Sequence, residues 1–227
     1  MTPRAVAVVA ARDEADRIAD TVAALRAIHW VDRVVVADDG SSDATGDRAA
    51  EAGAVVIRRV RPGGKGAALE AGLDAAGAAE HYLLVDGDLG SSASSLEPLA
   101  TPVFTGAADL AVAVPEPMPA GGFGVVRRAS ALAIRIAGGP AMRAPLSGQR
   151  LMTAEALRAL RPLASGFGVE TAMGIDAARA GLRVREVAVP ITHRSTGRDL
   201  AGFLHRGRQG LDILSAVLVR ALGRRPG

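Results

Sequence analysis

The first half of the chain alternates short runs rich in valine, alanine and leucine with segments that carry Ala, Leu and Glu at helical spacing. Residues 5–10, 33–38, 54–58, 82–86 and 109–114 read as strands, and residues 14–28, 44–52, 66–76 and 95–104 between them read as helices. Strand, helix, strand, helix argues for an α/β architecture: a mainly parallel sheet with helices on both faces. In sheets of this kind ligands bind beyond the carboxyl ends of the strands. The residues just past each apolar run are therefore the ones placed to carry chemistry.

The most informative run is His81-Tyr82-Leu83-Leu84-Val85-Asp86-Gly87-Asp88, an apolar strand that ends in two carboxylates separated by one glycine. A hard divalent cation such as Mg²⁺ or Mn²⁺ gives two acids a reason to stand so close, since it prefers oxygen ligands and can bridge carboxylates to a diphosphate. An isolated Asp-x-Asp also fits a solvated turn. Two further loops fall at the same expected edge: Ala10-Ala11-Arg12-Asp13-Glu14 and Asp38-Asp39-Gly40-Ser41-Ser42-Asp43, the latter with Ser42 and Asp43 placed to cap the next helix. Between them and the acid pair lies Pro62-Gly63-Gly64-Lys65-Gly66-Ala67-Ala68-Leu69. Its glycines allow a phosphate close to backbone and ammonium, but the Gly-x-x-x-x-Gly-Lys-Ser/Thr pattern is missing, so this is no Walker loop. An ordinary glycine-rich turn is the alternative.

Composition narrows the function classes. With 227 residues and 49% hydrophobic content the chain can bury a sizeable core, and without cysteine it has neither disulfides nor thiolate metal sites. Aromatic residues make up 3%, too few for base-stacking platforms, and no helix-turn-helix or zinc-finger spacing occurs, which argues against nucleic acid as a partner. Arg12, Asp13 and Glu14 interrupt any N-terminal apolar run, so no signal peptide is expected and the expected location is cytoplasmic. The net charge is +3, with arginines gathered near the C-terminus, which favours anionic partners. Residues 211–222 are apolar but too short to span a bilayer; they suit a helix packed on the domain or one lying on an anionic membrane surface, and a homodimer is also compatible.

The second half is less regular. Pro115 to Gly122 cannot be helix or central strand and reads as an internal loop, followed by helices near 125–137, 154–160 and 169–180, a strand at 183–189 and a terminal helix.

Taken in order, these loops resemble those of GT-A fold glycosyltransferases of the family 2 type, over nearly the whole chain. Within that superfamily the pieces Arg61-Pro62-Gly63-Gly64-Lys65-Gly66, Pro145-Leu146-Ser147-Gly148, Gly166-Phe167-Gly168-Val169-Glu170 and Thr192-His193-Arg194 look most like glucosyl-3-phosphoglycerate synthases. Polyprenyl-phosphate sugar synthases are more distantly similar. The resemblance implies one GT-A (Rossmann-like) domain over residues 1–227, with a nucleotide-sugar half at 1–115 and an acceptor-side half with the C-terminal helix at 116–227. It implies a metal-dependent transfer of a sugar from a nucleotide diphosphate, most simply UDP-glucose, to a small anionic or lipid-phosphate acceptor.

The same resemblance implies the roles of individual residues. Asp39 would accept the uracil N3–H, the backbone of Ala10, Ala11 and Arg12 would lie along base and ribose, and Glu14 would hold a ribose hydroxyl. Read alone, Asp39 is a turn-forming residue and Glu14 a first-turn carboxylate. Gly64, Lys65, Asp86 and Gly87 would face the nucleotide, and Asp88 with His193 would bind Mg²⁺ or Mn²⁺. Asp88, Lys65 and Glu170 would form the catalytic set, Glu170 either orienting donor hydroxyls or accepting the acceptor's proton. Gly124, Leu146, Ser147, Gly148, Arg194, Ser195 and Arg198 would contact acceptor or donor sugar. The chain departs from the synthase pattern at Gly121-Gly122-Phe123-Gly124, at Ser195, and in having no N-terminal extension, which predicts an acceptor other than 3-phosphoglycerate. A sugar nucleotidyltransferase and a catalytically silent nucleotide-sugar-binding protein are the competing readings.

Overall fold

A computed structural model describes residues 3–117 and 124–191. Seven strands form one sheet: β1 Ala5–Ala11, β2 Val31–Asp38, β3 Val55–Arg58, β4 His81–Asp86, β5 Leu110–Pro115, β6 Arg150–Thr153 and β7 Val184–Val189. Their spatial order is β3-β2-β1-β4-β6-β5-β7. All neighbours pair in parallel except β6, which runs antiparallel to both β4 and β5. The sheet is thus mixed and mainly parallel, as expected from the alternation.

Strand periodicity divides the apolar residues between two faces. From β1, Ala5, Ala7, Val9 and Ala11 point into one core layer, while Val6 and Val8 point into the other. Leu83 and Val85 of β4 join the first layer, Tyr82 and Leu84 the second. Helices α1 Ile18–Arg26, α2 Thr45–Glu51 and α4 Ala100–Phe104 cover the first layer, together with a 3₁₀ run at Gly90–Leu99. Helices α3 Lys65–Ala76, α5 Gly124–Ile136, α6 Ala154–Leu160 and α7 Val169–Arg179 lie on the second side. Helix α1 shows the logic: Ile18, Val22 and Leu25, at i, i+4 and i+7, are fully buried, and each contributes about 2 kcal/mol of hydrophobic stabilisation.

Three local expectations are corrected. The helix expected over 14–28 begins only at Ile18, because residues 13–15 give their backbone N–H groups to Ser41, Thr45 and Asp43 rather than to a first helical turn. The helix expected over 95–104 is 3₁₀ through Leu99. Strand β6 was not foreseen at all; its four residues are too short, and begin with too polar a residue, to show a strand pattern. The terminal helix expected at 211–222 lies outside the described residues. Among the described residues no helix is long and apolar enough to cross a membrane.

The parallel edge pair β5 and β7 is stapled where both strands begin. Arg183 donates from Nε to Asp109 Oδ2 at 3.1 Å and from Nη2 to Oδ1 at 2.6 Å, while its backbone N–H reaches Oδ2 at 2.7 Å. These donors hold the Asp109 carboxyl below the usual carboxylate pKa, against the partial burial that would raise it. A depressed pKa stabilises the fold above the ordinary aspartate pKa, about 3.9, and that stabilisation is lost as acid titrates the folded group. Asp109→Asn should therefore lower the melting temperature at neutral pH, with the gap to the parent narrowing in acid; thermal melts across a pH series check this, and a gap that does not narrow would refute the charge origin.

Candidate active site

The strand order reverses direction between β1 and β4, since β2 and β3 extend from one side of β1 and the later strands from the other. Such a switch point opens a crevice at the carboxyl ends of the strands. Register places Ala10 beside Asp86 and Ala11 beside Asp38 there. The turn after β4 hugs β1: Gly87 N–H donates to Ala10 O at 3.1 Å, and a Cβ on Gly87 would stand 2.9 Å from that of Ala11. Only glycine allows this approach. From α1, the buried Thr21 hydroxyl donates to Gly87 O at 2.9 Å and accepts from Gly90 N–H at 2.8 Å, and Arg17 Nη1 donates to Asp88 O at 3.0 Å. A residue of α1 and the one that precedes it thus shape the acid turn.

The loops after β1 and β2 interlock. Asp13, at φ 54°, gives its N–H to Ser41 Oγ and accepts from the Ser42 N–H at 2.8 Å, while Glu14 N–H reaches Thr45 Oγ1 at 2.8 Å. The N-cap of α2 is Ala44, without a side-chain cap, rather than Ser42 or Asp43. Asp43 instead accepts from the N–H groups of Thr45, the first residue of the helix, and of Ala15, which ties down the neighbouring loop. Asp39 is buried, with its carboxylate accepting from Arg59 Nη1 at 2.6 Å, from Gly63 N–H and, at 2.8 Å, from Gly64 N–H. It holds the glycine-rich loop to the end of β2. Arg12 is exposed and paired loosely with Asp13 at 3.6 Å.

That loop leads into α3, whose close seat on the sheet is set by Gly72: a Cβ there would meet Val8 Cγ1 at 2.6 Å. At the helix start Gly64, at φ +80°, would place a Cβ 3.1 Å from Gly166 Cα, and one on Gly66 would run into the carbonyl oxygen of Ala164. Segments a hundred residues apart therefore meet backbone to backbone, and Lys65, the first residue of α3, is brought to Glu170 in the first turn of α7. The Lys65 ammonium forms ion pairs with Asp86 Oδ1 and with Glu170 Oε1. Burial discourages its charge, but the two carboxylates outweigh that and raise its pKa above the ordinary lysine value.

The segment before β6 closes the cluster from a third side. Gln149, fully buried, donates from Nε2 to Asp86 Oδ2 at 2.8 Å and is itself held by Ser147 Oγ at 3.1 Å. A Cβ on Gly148 would stand 2.5 Å from Asp86 Oδ2. Leu146 is half-buried on the same turn. Beneath lies Arg150, fully buried between β4 and β5, where it pairs with Leu84 and Val112. Its Nε donates to Ser147 O and its Nη2 to Pro145 O, each at 2.9 Å, while Nη1 is buried with no hydrogen-bond partner among the described residues. Burial pushes its pKa down to about 10, resisted by the nearby charges of Glu170, Asp86 and Glu186, so it remains a cation at neutral pH. Lys65 and Arg150 thus balance Asp86 and Glu170 charge for charge.

Gly124 opens α5, and a Cβ there would meet nothing within 4 Å, whereas His193, Arg194, Ser195 and Arg198 lie outside the described residues. Gln149, Arg150, Thr21 and Arg17 were not foreseen. Among the described residues no three His, Asp, Glu or Cys side chains group as a metal cage. Asp86 and Asp88 nevertheless supply hard oxygen donors on one turn, and one or two carboxylates suffice for Mg²⁺ when phosphate oxygens complete its shell. The donor set fits a cation that arrives with a diphosphate.

Comparison with known proteins bears on this geometry. The model of the family described as glycosyl transferase family 2 matches residues 6–137. A glycosyltransferase of Haloferax volcanii, AglJ, is 30% identical over 208 residues, which cover 87% of this chain and 66%, just under two thirds, of that protein. Solved structures of glucosyl-3-phosphoglycerate synthase from Mycobacterium tuberculosis are similar over 99% of this chain at 26% identity. One in complex with Mn²⁺, UDP-glucose and phosphoglyceric acid has a TM-score of 0.78 and is covered over 81% of its length. Another with Mg²⁺ and UDP has a TM-score of 0.79 and the same coverage.

Removing Arg150 strips donors from two buried carbonyls and a counter-charge from two carboxylates. Arg150→Met should cost about 3 kcal/mol in unfolding free energy, with Arg150→Lys intermediate, as measured by urea denaturation.

Proposed function

The chain belongs to glycosyl transferase family 2, and on that premise we propose that it is a metal-dependent glycosyltransferase that uses a UDP-sugar, most simply UDP-glucose. The observation that carries this reading is the Lys65 ammonium held between Asp86 and Glu170 at the switch point, one turn from Asp88. Residues 1–115 would form the nucleotide-sugar half and 116–227 the acceptor side of a single domain. The choice of UDP-glucose is supported by the Mycobacterium tuberculosis synthase, whose complexes contain UDP-glucose with Mn²⁺.

Breaking the anomeric bond develops negative charge on the departing diphosphate. Lys65 stands where that charge would appear, at the positive end of the twelve-residue helix α3. Moving its ammonium from the carboxylates to the diphosphate stabilises the leaving group electrostatically. The move leaves Asp86 and Glu170 with Arg150 as resident counter-charge, while Gln149 keeps Asp86 oriented. Glu170, released from Lys65, can accept the acceptor's proton or hold a donor hydroxyl. Asp88, with His193 as a further ligand, would hold Mg²⁺ or Mn²⁺, and the ion when bound supplies Lewis-acid stabilisation of the diphosphate.

An anionic acceptor, either a small phosphorylated molecule or a lipid phosphate, is supported by the cations on the acceptor side, Arg127, Arg194 and Arg198. The synthase complexes with phosphoglyceric acid and with glycerol 3-phosphate point the same way.

Thermal melts with UDP, GDP, TDP and CDP, with and without Mn²⁺, test the donor site. UDP with Mn²⁺ should stabilise the protein by about 2.7 kcal/mol at a hundredfold excess over Kd, and Asp88→Ala should abolish the metal dependence. Absence of a shift with every nucleotide would refute the reading. Lys65→Ala should lower kcat for sugar transfer by about a hundredfold, read from UDP release in the presence of a phosphorylated acceptor panel.

A further inference from the structure

Helix α5 presents to solvent a face that the transfer chemistry does not use. Val125, Leu132 and Ile136 are 78%, 58% and 79% exposed. With Ala129 they stand at i, i+4, i+7 and i+11, one line along the helix. Arg128 and Arg135 run beside that line, and the helix contains no acidic residue.

The rotational setting of α5 is fixed from the opposite side. Ile134 is fully buried and fills space left by two glycines: a Cβ on Gly139 would stand 2.7 Å from its Cγ2, and one on Gly174 of α7 would stand 2.8 Å from its Cγ1. The buried Ser130 hydroxyl accepts from Thr171 Oγ1 at 3.0 Å. Turning the helix to hide its apolar line would break both fits.

A line of apolar side chains edged by cations suits few covers. A second copy laid face to face would set Arg128 and Arg135 against the same arginines, and like charges oppose such pairing. The chain's own apolar stretch 211–222 carries one aspartate and one arginine, so it offers no excess negative charge to Arg128 and Arg135. A bilayer rich in anionic lipid satisfies both features, offering acyl chains to Val125, Leu132 and Ile136 and negative headgroups to the arginines. We propose that α5 docks this protein on an anionic membrane surface. Ser130 is bonded to Thr171, the neighbour of Glu170. Docking through α5 brings the membrane to the side of the molecule where α5 packs on α7, the helix whose first turn carries Glu170. The proposal deepens the acceptor reading toward a lipid phosphate and rests on the glycosyltransfer reading for its purpose, while the surface stands on its own observations.

The test is co-sedimentation of the full chain with vesicles of phosphatidylcholine alone and of equimolar phosphatidylcholine and phosphatidylglycerol. The protein should bind the anionic vesicles and not the neutral ones. Leu132→Glu combined with Ile136→Glu should abolish binding, and Arg128→Gln combined with Arg135→Gln should lower the partition constant about thirtyfold. All variants should keep the nucleotide-dependent thermal shift, which establishes that they fold. An unchanged partition constant in the glutamate pair would overturn the proposal by assigning binding to another surface. So would a dimer that this pair dissociates, or retention by a polyglutamate matrix without vesicle binding. Vesicle binding without any nucleotide shift would leave the surface standing and remove the transfer reading; a nucleotide shift without vesicle binding would do the reverse.

Discussion

One buried ammonium ties the molecule together. Lys65 comes from α3, Asp86 from β4 and Glu170 from α7, so the ion pairs join three elements that are far apart in sequence. A charge this buried is tolerable only if its partners are held in place. Much of the surrounding architecture does that holding. Gly64 and Gly66 let α3 touch the segment before α7, Gly87 lets the acid turn close on β1, and Gly148 lets the segment before β6 lie against Asp86. At Gly66, Gly87 and Gly148 a methyl group would collide, at Gly64 the φ of +80° and a 3.1 Å approach favour glycine, and all four surround the same cluster.

The second layer of support is made of hydrogen bonds between loops. Asp39 binds the glycine-rich loop through Arg59, Gly63 and Gly64, and Asp13, Ser41, Asp43 and Thr45 knit the first two loops together. These residues come from loops that connect different strands, so the edge of the crevice at the ends of β1 and β2 is woven rather than made of independent loops. Side chains at such an edge are ordered before a ligand arrives, which reduces the entropic cost of binding.

Most of the sheet was legible because buried parallel strands read as apolar runs, and the acid pair was legible because it interrupts such a run abruptly. The start of α1 was misread for a physical reason: Asp13, Glu14 and Asp16 look like a helix's acidic first turn, yet tertiary hydrogen bonds to residues 41–45 outcompete local helix formation. Strand β6 and its residue Arg150 were invisible because a buried arginine inside a sheet contradicts every hydropathy rule until its two carbonyl acceptors and its neighbouring carboxylates are known. Lys65 and Glu170 could be named through family resemblance, but nothing in their spacing announced that they touch. Thr21 and Arg17 carried no signal, since a helix facing the core supplies ordinary reasons for both.

The antiparallel strand β6 has a consequence for the order in which the molecule can be completed. Strands β1 to β4 can assemble in the order in which they are synthesised, each beside a strand already present. Strand β5 cannot join them directly, because the place beside β4 belongs to β6, which leaves the ribosome later. Until β6 arrives, β5 and β7 have no route into the sheet, and Asp86 lacks Gln149. The sheet of β1 to β4 therefore waits with an open edge, and the insertion of one four-residue strand both closes that edge and completes the cluster around Lys65.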